Sequence, residues 1–172
     1  MNDFDGFALF RAMDAKREQA GLTWAQVARE IWQQSAELNA RRAADHPISA
    51  ATLTGLARRG DCSCQHALFM LRWLGSPPEE FVGAPMRADA TLPKARSDRR
   101  LRWNLRALHG ALDAARKSRG LTWASLAREL RCTPNQLMGL RRVKYAISMR
   151  LAMRIVAWLD RAASAFIFVS PW

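Results

Sequence analysis

Asn135, Gln136, Arg141 and Arg142 crowd one short stretch of the chain, with Met138 among them. Carboxamides and guanidinium groups present flat pairs of donors and acceptors, the pattern that base edges display in the major groove of DNA. Catalysis has no comparable cluster. His46, His66 and His109 have no matched acid or nucleophile in a recognisable motif, and neither a glycine-rich phosphate loop nor a paired-carboxylate pattern is present. An enzyme is therefore not expected. Cys62-Ser63-Cys64-Gln65-His66 invites a metal reading, with His46 as a distant fourth ligand. Zinc sites usually space their cysteines two to four residues apart, so this C-x-C-x-H is off-pattern; small buried cysteines are the plainer reading. No metal and no cofactor is expected.

The stretch that must position the amides and arginines runs from Leu121 to Arg142. Thr122 stands where an N-cap belongs, ahead of Trp123, Leu126, Ala127 and Leu130, which recur at helical spacing. Arg131 and Cys132 break that pattern. Thr133 then caps a second helix, with Pro134 at its first position and Gln136 three residues after the cap, a reciprocal arrangement that satisfies backbone donors. Leu137 and Leu140 face inward. Asn135, Gln136, Met138, Arg141 and Arg142 are left outside.

This pattern resembles the helix-turn-helix of the lambda-repressor/Cro-like (XRE-type) family. Ala127 matches the small residue where the two helices cross, and Leu137 and Leu140 match the buried positions of the recognition helix, here about 134–142. Two positions depart: Arg131 stands where the family often has glycine, and Cys132 where it often has a β-branched residue. The resemblance implies a bacterial or phage transcription regulator that binds double-stranded DNA.

The chain is one unit written twice. Gly21-Leu22-Thr23-Trp24-Ala25 returns as Gly120-Leu121-Thr122-Trp123-Ala124, and Ala28-Arg29-Glu30 as Ala127-Arg128-Glu129, at an offset of 99. Leu53, Gly55 and Leu56 match Leu137, Gly139 and Leu140 at 84, and Trp73-Leu74 match Trp158-Leu159 at 85. The tryptophans at these repeated places read as structural. The first copy holds about 15 extra residues. The expected fold is all-α: two tandem helix-turn-helix modules with a short extended C-terminal tail. Module one spans 1–83 with an insertion at about 32–47, a linker spans 84–98, and module two spans 99–172.

Within module one the second helix is expected to run on from Trp24 through Ile31, Trp32 and Leu38, since nothing before His46-Pro47 stops it. The element equivalent to the recognition helix starts at Ala50 and ends in Arg58 and Arg59. Its exposed positions, among them Ala50, Ala51 and Thr54, are small, suited to thymine methyls rather than to hydrogen-bonded readout. DNA contact by this copy, or packing against a partner or against copy two, both stay open. The linker's basic end is expected either as a solvated tether or as an arm along DNA. Module two is expected to open with a helix from about Arg99 that includes Leu101 and Leu105. Its last stretch, residues 165–172, is apolar on both alternations, so a strand there would need cover on both faces. The cover is copy one, copy two or another chain; a homodimer or protein partner through Ala165–Trp172 belongs to that set.

Charge separates the copies. Residues 1–83 carry 9 Lys/Arg against 10 Asp/Glu, and residues 84–172 carry 18 against 5, so a net of −1 faces a net of +13. A polyanion is the simplest partner for the second half, and nucleic acid is the commonest polyanion. Thr122 at its helix start is expected to sit against a phosphate. Lys144, Arg119 and Arg128 are expected as backbone clamps. The odd number of cysteines, 3, argues against a disulfide framework, the N-terminus lacks a basic signal region, and the longest apolar run is too short for a bilayer. A cytoplasmic, non-membrane protein is expected. A protein-interaction adaptor, with module one and the tail holding a protein while module two tethers it to nucleic acid, is the other reading of the same features.

Overall fold

The structure, a computed structural model, describes residues 3–85, 87–142 and 147–172. It is mainly α-helical. The first copy contains α1 (Gly6–Gln19), α2 (Trp24–Gln33), α3 (Ala36–Ala40), α4 (Ala50–Arg59) and α5 (Cys64–Leu74), then a 3-10 turn at Pro78–Phe81. The second contains β1 (Arg100–Trp103), α6 (Leu105–Ser118), α7 (Trp123–Glu129), α8 (Pro134–Gly139) and α9 (Met149–Trp158). A 3-10 turn at Ala163–Phe166 leads into β2 (Ile167–Ser170). Among the described residues no helix is long and apolar enough to cross a membrane.

Hydroxyl and amide caps decide where the helices start. Thr23 with Gln26, Thr122 with Ser125, and Thr133 with Gln136 form reciprocal capping boxes, and Ser49, Ser63 and Ser148 cap α4, α5 and α9. Apolar faces then bury: Val27, Ala28 and Ile31 on α2, and Leu126 and Ala127 on α7.

The sequence repeat is also a repeat of contacts. Arg17 donates to Asp14 at 2.7 Å and to the Leu22 carbonyl at 2.9 Å; Arg116 donates to Asp113 and to the Leu121 carbonyl, at 3.1 and 2.6 Å. Each of these arginines lies over the tryptophan that opens the next helix, Trp24 or Trp123. Phe10 stacks on Trp24 at 5.1 Å, and His109 stacks on Trp123 at 5.3 Å. Trp73 donates to Glu30 and Trp158 to Glu129. The repeated tryptophans thus rivet neighbouring helices, each with its ring packed and its polar edge or face matched.

Four sequence expectations need correction. The fold is not purely helical, because β1 pairs antiparallel with β2, Arg100 facing Ser170 and Trp103 facing Ile167. Leu101 therefore lies on a strand and not on the first helix of copy two; Leu101 and Trp103 are buried with Arg102 between them, a period of two, and Asn104 caps α6 only afterwards. α2 does not run on to Leu38. It stops at Gln33, and Ser35 turns inward to donate to the Arg99 carbonyl at 2.8 Å. Finally, the two copies by themselves do not cover both faces of β2: Ile167 and Ser170 are buried, but Phe168 is 36% and Val169 39% exposed, and Trp172 beyond it is 56% exposed, so of the expected covers only another chain is left for these side chains.

The insertion holds the end of the linker. Arg100, only 3% exposed, donates to Asp45 at 3.0 Å and to Asn39 at 2.6 Å, with its guanidinium over Trp32 and Phe69. Arg72 of α5 donates to the carbonyls of Gln34 and Ala95 and to the Ser35 hydroxyl. Leu38 N–H donates to the Ser97 carbonyl. The backbone of residues 95–100 is therefore held against copy one, while the side chains of Lys94 and Arg96 stay exposed. The apolar core is continuous across both copies, from Phe4 and Leu9 through α5 to Leu112, Leu126 and Ile155.

Candidate nucleic-acid interface

α7 and α8 meet through a four-residue turn that depends on one unusual backbone angle. Arg131 has φ +53°, in the left-handed region where a Cβ is disfavoured and glycine is at ease. This is the position singled out in the sequence as standing where glycine is often found. Cys132 N–H donates to the Ala127 carbonyl at 2.9 Å, and Arg154 of α9 donates to the Leu130 and Arg131 carbonyls, both at 3.3 Å. Arg154 also pairs with Asp3 at 2.6 Å. The hydrogen bond from Arg154 holds the Asp3 carboxyl below its ordinary range against a burial effect that raises it. An acidic residue of copy one thus braces the turn of copy two, through a contact that no local sequence signal announces.

Beyond the turn, Asn135, Gln136, Met138, Arg141 and Arg142 line one groove of about 520 Å³ with Gly139 and Ile147. Asn135, Gln136, Arg141 and Arg142 are exposed and Met138 is half-buried. Neither arginine makes an ion pair among the described residues. Gln136 is partly committed: its Oε1 accepts the Thr133 N–H at 2.8 Å, while the Thr133 hydroxyl accepts the Gln136 N–H at 3.2 Å. Its NH2 group remains for an outside acceptor, so Gln136 offers one donor where Asn135 offers a donor and an acceptor.

Other predicted residues lie elsewhere. Thr122 is exposed, and its hydroxyl is 2.7 Å from Ser125 Oγ within the capping box. The Arg119 guanidinium rests 3.9 Å over Trp158, at the end of α9. Arg128 is exposed at the end of α7. Arg58 and Arg59 are exposed at the end of α4, in copy one. Lys144 falls outside the described residues.

Behind the groove, His109 is 8% exposed, and its Nε2 has no hydrogen-bond partner among the described residues. Burial lowers its pKa from the usual 6.5, and the neighbouring charge of Arg141 lowers it further. The imidazole is therefore neutral at physiological pH and serves as a ring under Trp123. One turn further along α6, hydrogen bonds from Lys117 and then Arg116 hold Asp113 at about 2.

Cys62 and Cys64 lie in an apolar setting at the start of α5. Burial, with Asp61 nearby, pushes the Cys62 thiol up to about 12, and burial pushes Cys64 there as well. In this setting the free thiols resist ionisation. Among the described residues no group of three His, Cys, Asp or Glu side chains is placed to hold a metal ion.

Ile147 and Arg154 are the residues of this site that sequence reasoning missed. Arg154 sits on the polar flank of an amphipathic helix, and only the fold brings it to the turn. Compared with protein-family models, curated proteins and solved structures, the chain matches none.

Proposed function

We propose that the chain binds double-stranded DNA sequence-specifically, as a transcription regulator of bacterial or phage type, with α7 and α8 acting as a helix-turn-helix. One observation carries this reading. A short capped helix and the residues after it set Asn135, Gln136, Arg141 and Arg142, all exposed, around a single groove in the half of the chain with net +13. Asn135 suits the paired donor and acceptor of adenine, Gln136 gives a single donor to a base acceptor, and Met138 meets a thymine methyl. Arg141 and Arg142 pair with guanine or phosphate, and the helix start at Thr122 lies against the backbone, with Lys144 and Arg128 as further clamps. Arg119 acts from a fixed position on Trp158.

The test is selection of bound duplexes from a random-core library with the intact chain at about 150 mM salt, which suppresses contacts to phosphate alone. An enriched motif that Asn135→Ala relaxes at one base pair supports the reading. Enrichment of nothing, or a uniform loss across all sequences in that variant, sinks it. The adaptor reading draws on a different observation, the exposed Phe168, Val169 and Trp172 at β2. It takes first place if the library yields no motif.

A further inference from the structure

The two copies are joined by equivalent residues. Ser63 and Ser148, at offset 85, form an antiparallel bridge. Cys64 N–H donates to the Ile147 carbonyl and Met149 N–H donates to the Cys62 carbonyl, both at 2.8 Å. Cys62 corresponds to Ile147 and Cys64 to Met149, so the two hydrogen bonds exchange places under a half-turn about an axis between the serines. Symmetric dimers make isologous contacts in this way. Here the contact lies inside one chain, between the N-caps of α5 and α9.

Nothing about this joint is loose. The apolar core runs through it without a break. Arg150 donates to the Gly60 carbonyl at 3.1 Å, its N–H meets Asp61 at 3.2 Å, and Asp3 pairs with Arg154. The groove before α8 also reaches the axis, because Ile147 both lines that groove and accepts the hydrogen bond from Cys64. A half-turn preserves height along its axis. In chain order α8 stands before α9 as α4 stands before α5, with Arg142 matching Arg58 at offset 84.

Resting on the reading of α8 above, we infer that copy one is the second half of the same DNA-binding surface. The internal two-fold sets α4 into the next major groove, and one chain covers one bipartite site with a fixed spacing and without dimerising. The halves read different chemistry. On α4 the Thr52 hydroxyl is tied to Ser49 and the Thr54 hydroxyl to the Ala50 carbonyl, leaving Ala51 exposed and Ala50 half-buried. That half-site is chosen by methyl contact, favouring thymine, with phosphate held by Arg58 and Arg59. The half-site under α8 is chosen by amides.

The experiment uses the full chain and the duplex selected from the random library. The expected result is one chain per duplex, and two unequal half-sites about 10 base pairs apart, one helical turn. Inserting 5 base pairs at the centre rotates one half-site to the opposite side of the duplex and lowers affinity about a hundredfold, the advantage of linked binding. Ala51→Glu places a carboxylate on the exposed first turn of α4, where it does not disturb the helix. It should cost a similar factor and erase protection of the thymine-rich half-site alone, with the melting temperature unchanged. A single short motif, indifferent to the insertion and to Ala51→Glu, overturns this inference and leaves the function of α8 standing. Two chains per duplex also overturn it. If no motif is enriched, both readings fall together.

Discussion

The two copies share a skeleton of contacts and differ in what they attach to it. In copy one the stretch between the second and third equivalent helices is expanded into α3 and a loop, and that insert grips Arg100 and the linker. In copy two the same interval is a tight turn held open by Arg131 in the left-handed region and by Arg154. Phe10 closes the aromatic stack of copy one, whereas His109 closes that of copy two with an Nε2 that has no partner among the described residues. The helix after the insert carries hydroxyls and terminal arginines, and the helix after the turn carries amides. The same frame of contacts occurs twice, and the variable interval differs: in one copy it gives internal support, in the other it leads into an exposed surface of amides and arginines.

That contrast can be broken first at the clasp. Arg100→Met leaves Asp45 and Asn39 without their buried partner and should cost about 3 kcal/mol, measured by urea unfolding. The pH dependence should change with it. Burial raises the Asp45 pKa, but hydrogen bonds from Arg42 and Arg100 outweigh it and hold the group below 3.8. A depressed carboxylate adds stability above its unfolded pKa and loses it as pH falls through the folded value. The wild-type chain should therefore lose this contribution below about pH 4, and the variant should show a flatter acid limb.

The reading surface is the next target. Asn135→Ala should cost about 1–3 kcal/mol at one base pair of the selected site, while Ala51→Ser in copy one should leave that base pair untouched. Quantitative competition with single-base variants of the duplex reads both. Gln136→Ala should give a smaller loss of base preference, together with about 1 kcal/mol of stability from the opened capping box.

His109→Phe gives copy two the stack that copy one already has. Removing a buried polar atom that lacks a partner should stabilise the chain by about 1–2 kcal/mol. The folded pKa of His109 lies below 6.5, so the unfolded chain takes up its proton first, and stability falls as pH drops from there toward the folded value. Thermal melts at pH 7 and pH 5 should show this fall in the wild type and a reduced one in the variant. The smallest expected effect is that of Arg131→Gly, which relieves the left-handed strain and should add about 1 kcal/mol. A loss of stability there would mean that the Arg131 side chain contributes more than its backbone costs.

Local signals were the legible part. The Thr-x-x-Gln boxes at Thr23 and Thr133, the serine caps and the closing glycines bounded most helices, because a cap is satisfied by residues three or four positions away. The cluster of Asn135, Gln136 and the arginines was legible for the same reason: one short helix and its end carry it. Strand β1 was hidden. Its ladder partner lies at the other end of the chain, and the leucine spacing from Leu101 to Leu105 imitates a helix. The role of the insert was hidden too, since Asp45 and Asn39 acquire meaning only opposite Arg100.

The sequence by itself determined that the chain is a duplicated helical unit, where most of its helices begin, and that its basic charge and amide-bearing helix belong to the second copy. These follow from periodicity, capping and composition, which act over a few residues. Tertiary structure decided that the copies meet at an antiparallel bridge between Ser63 and Ser148, that Asp3 braces the far turn, and that the tail folds back as a strand. Each of these joins residues distant in the chain, where burial and hydrogen-bond satisfaction in the shared core select among pairings that local sequence leaves equivalent.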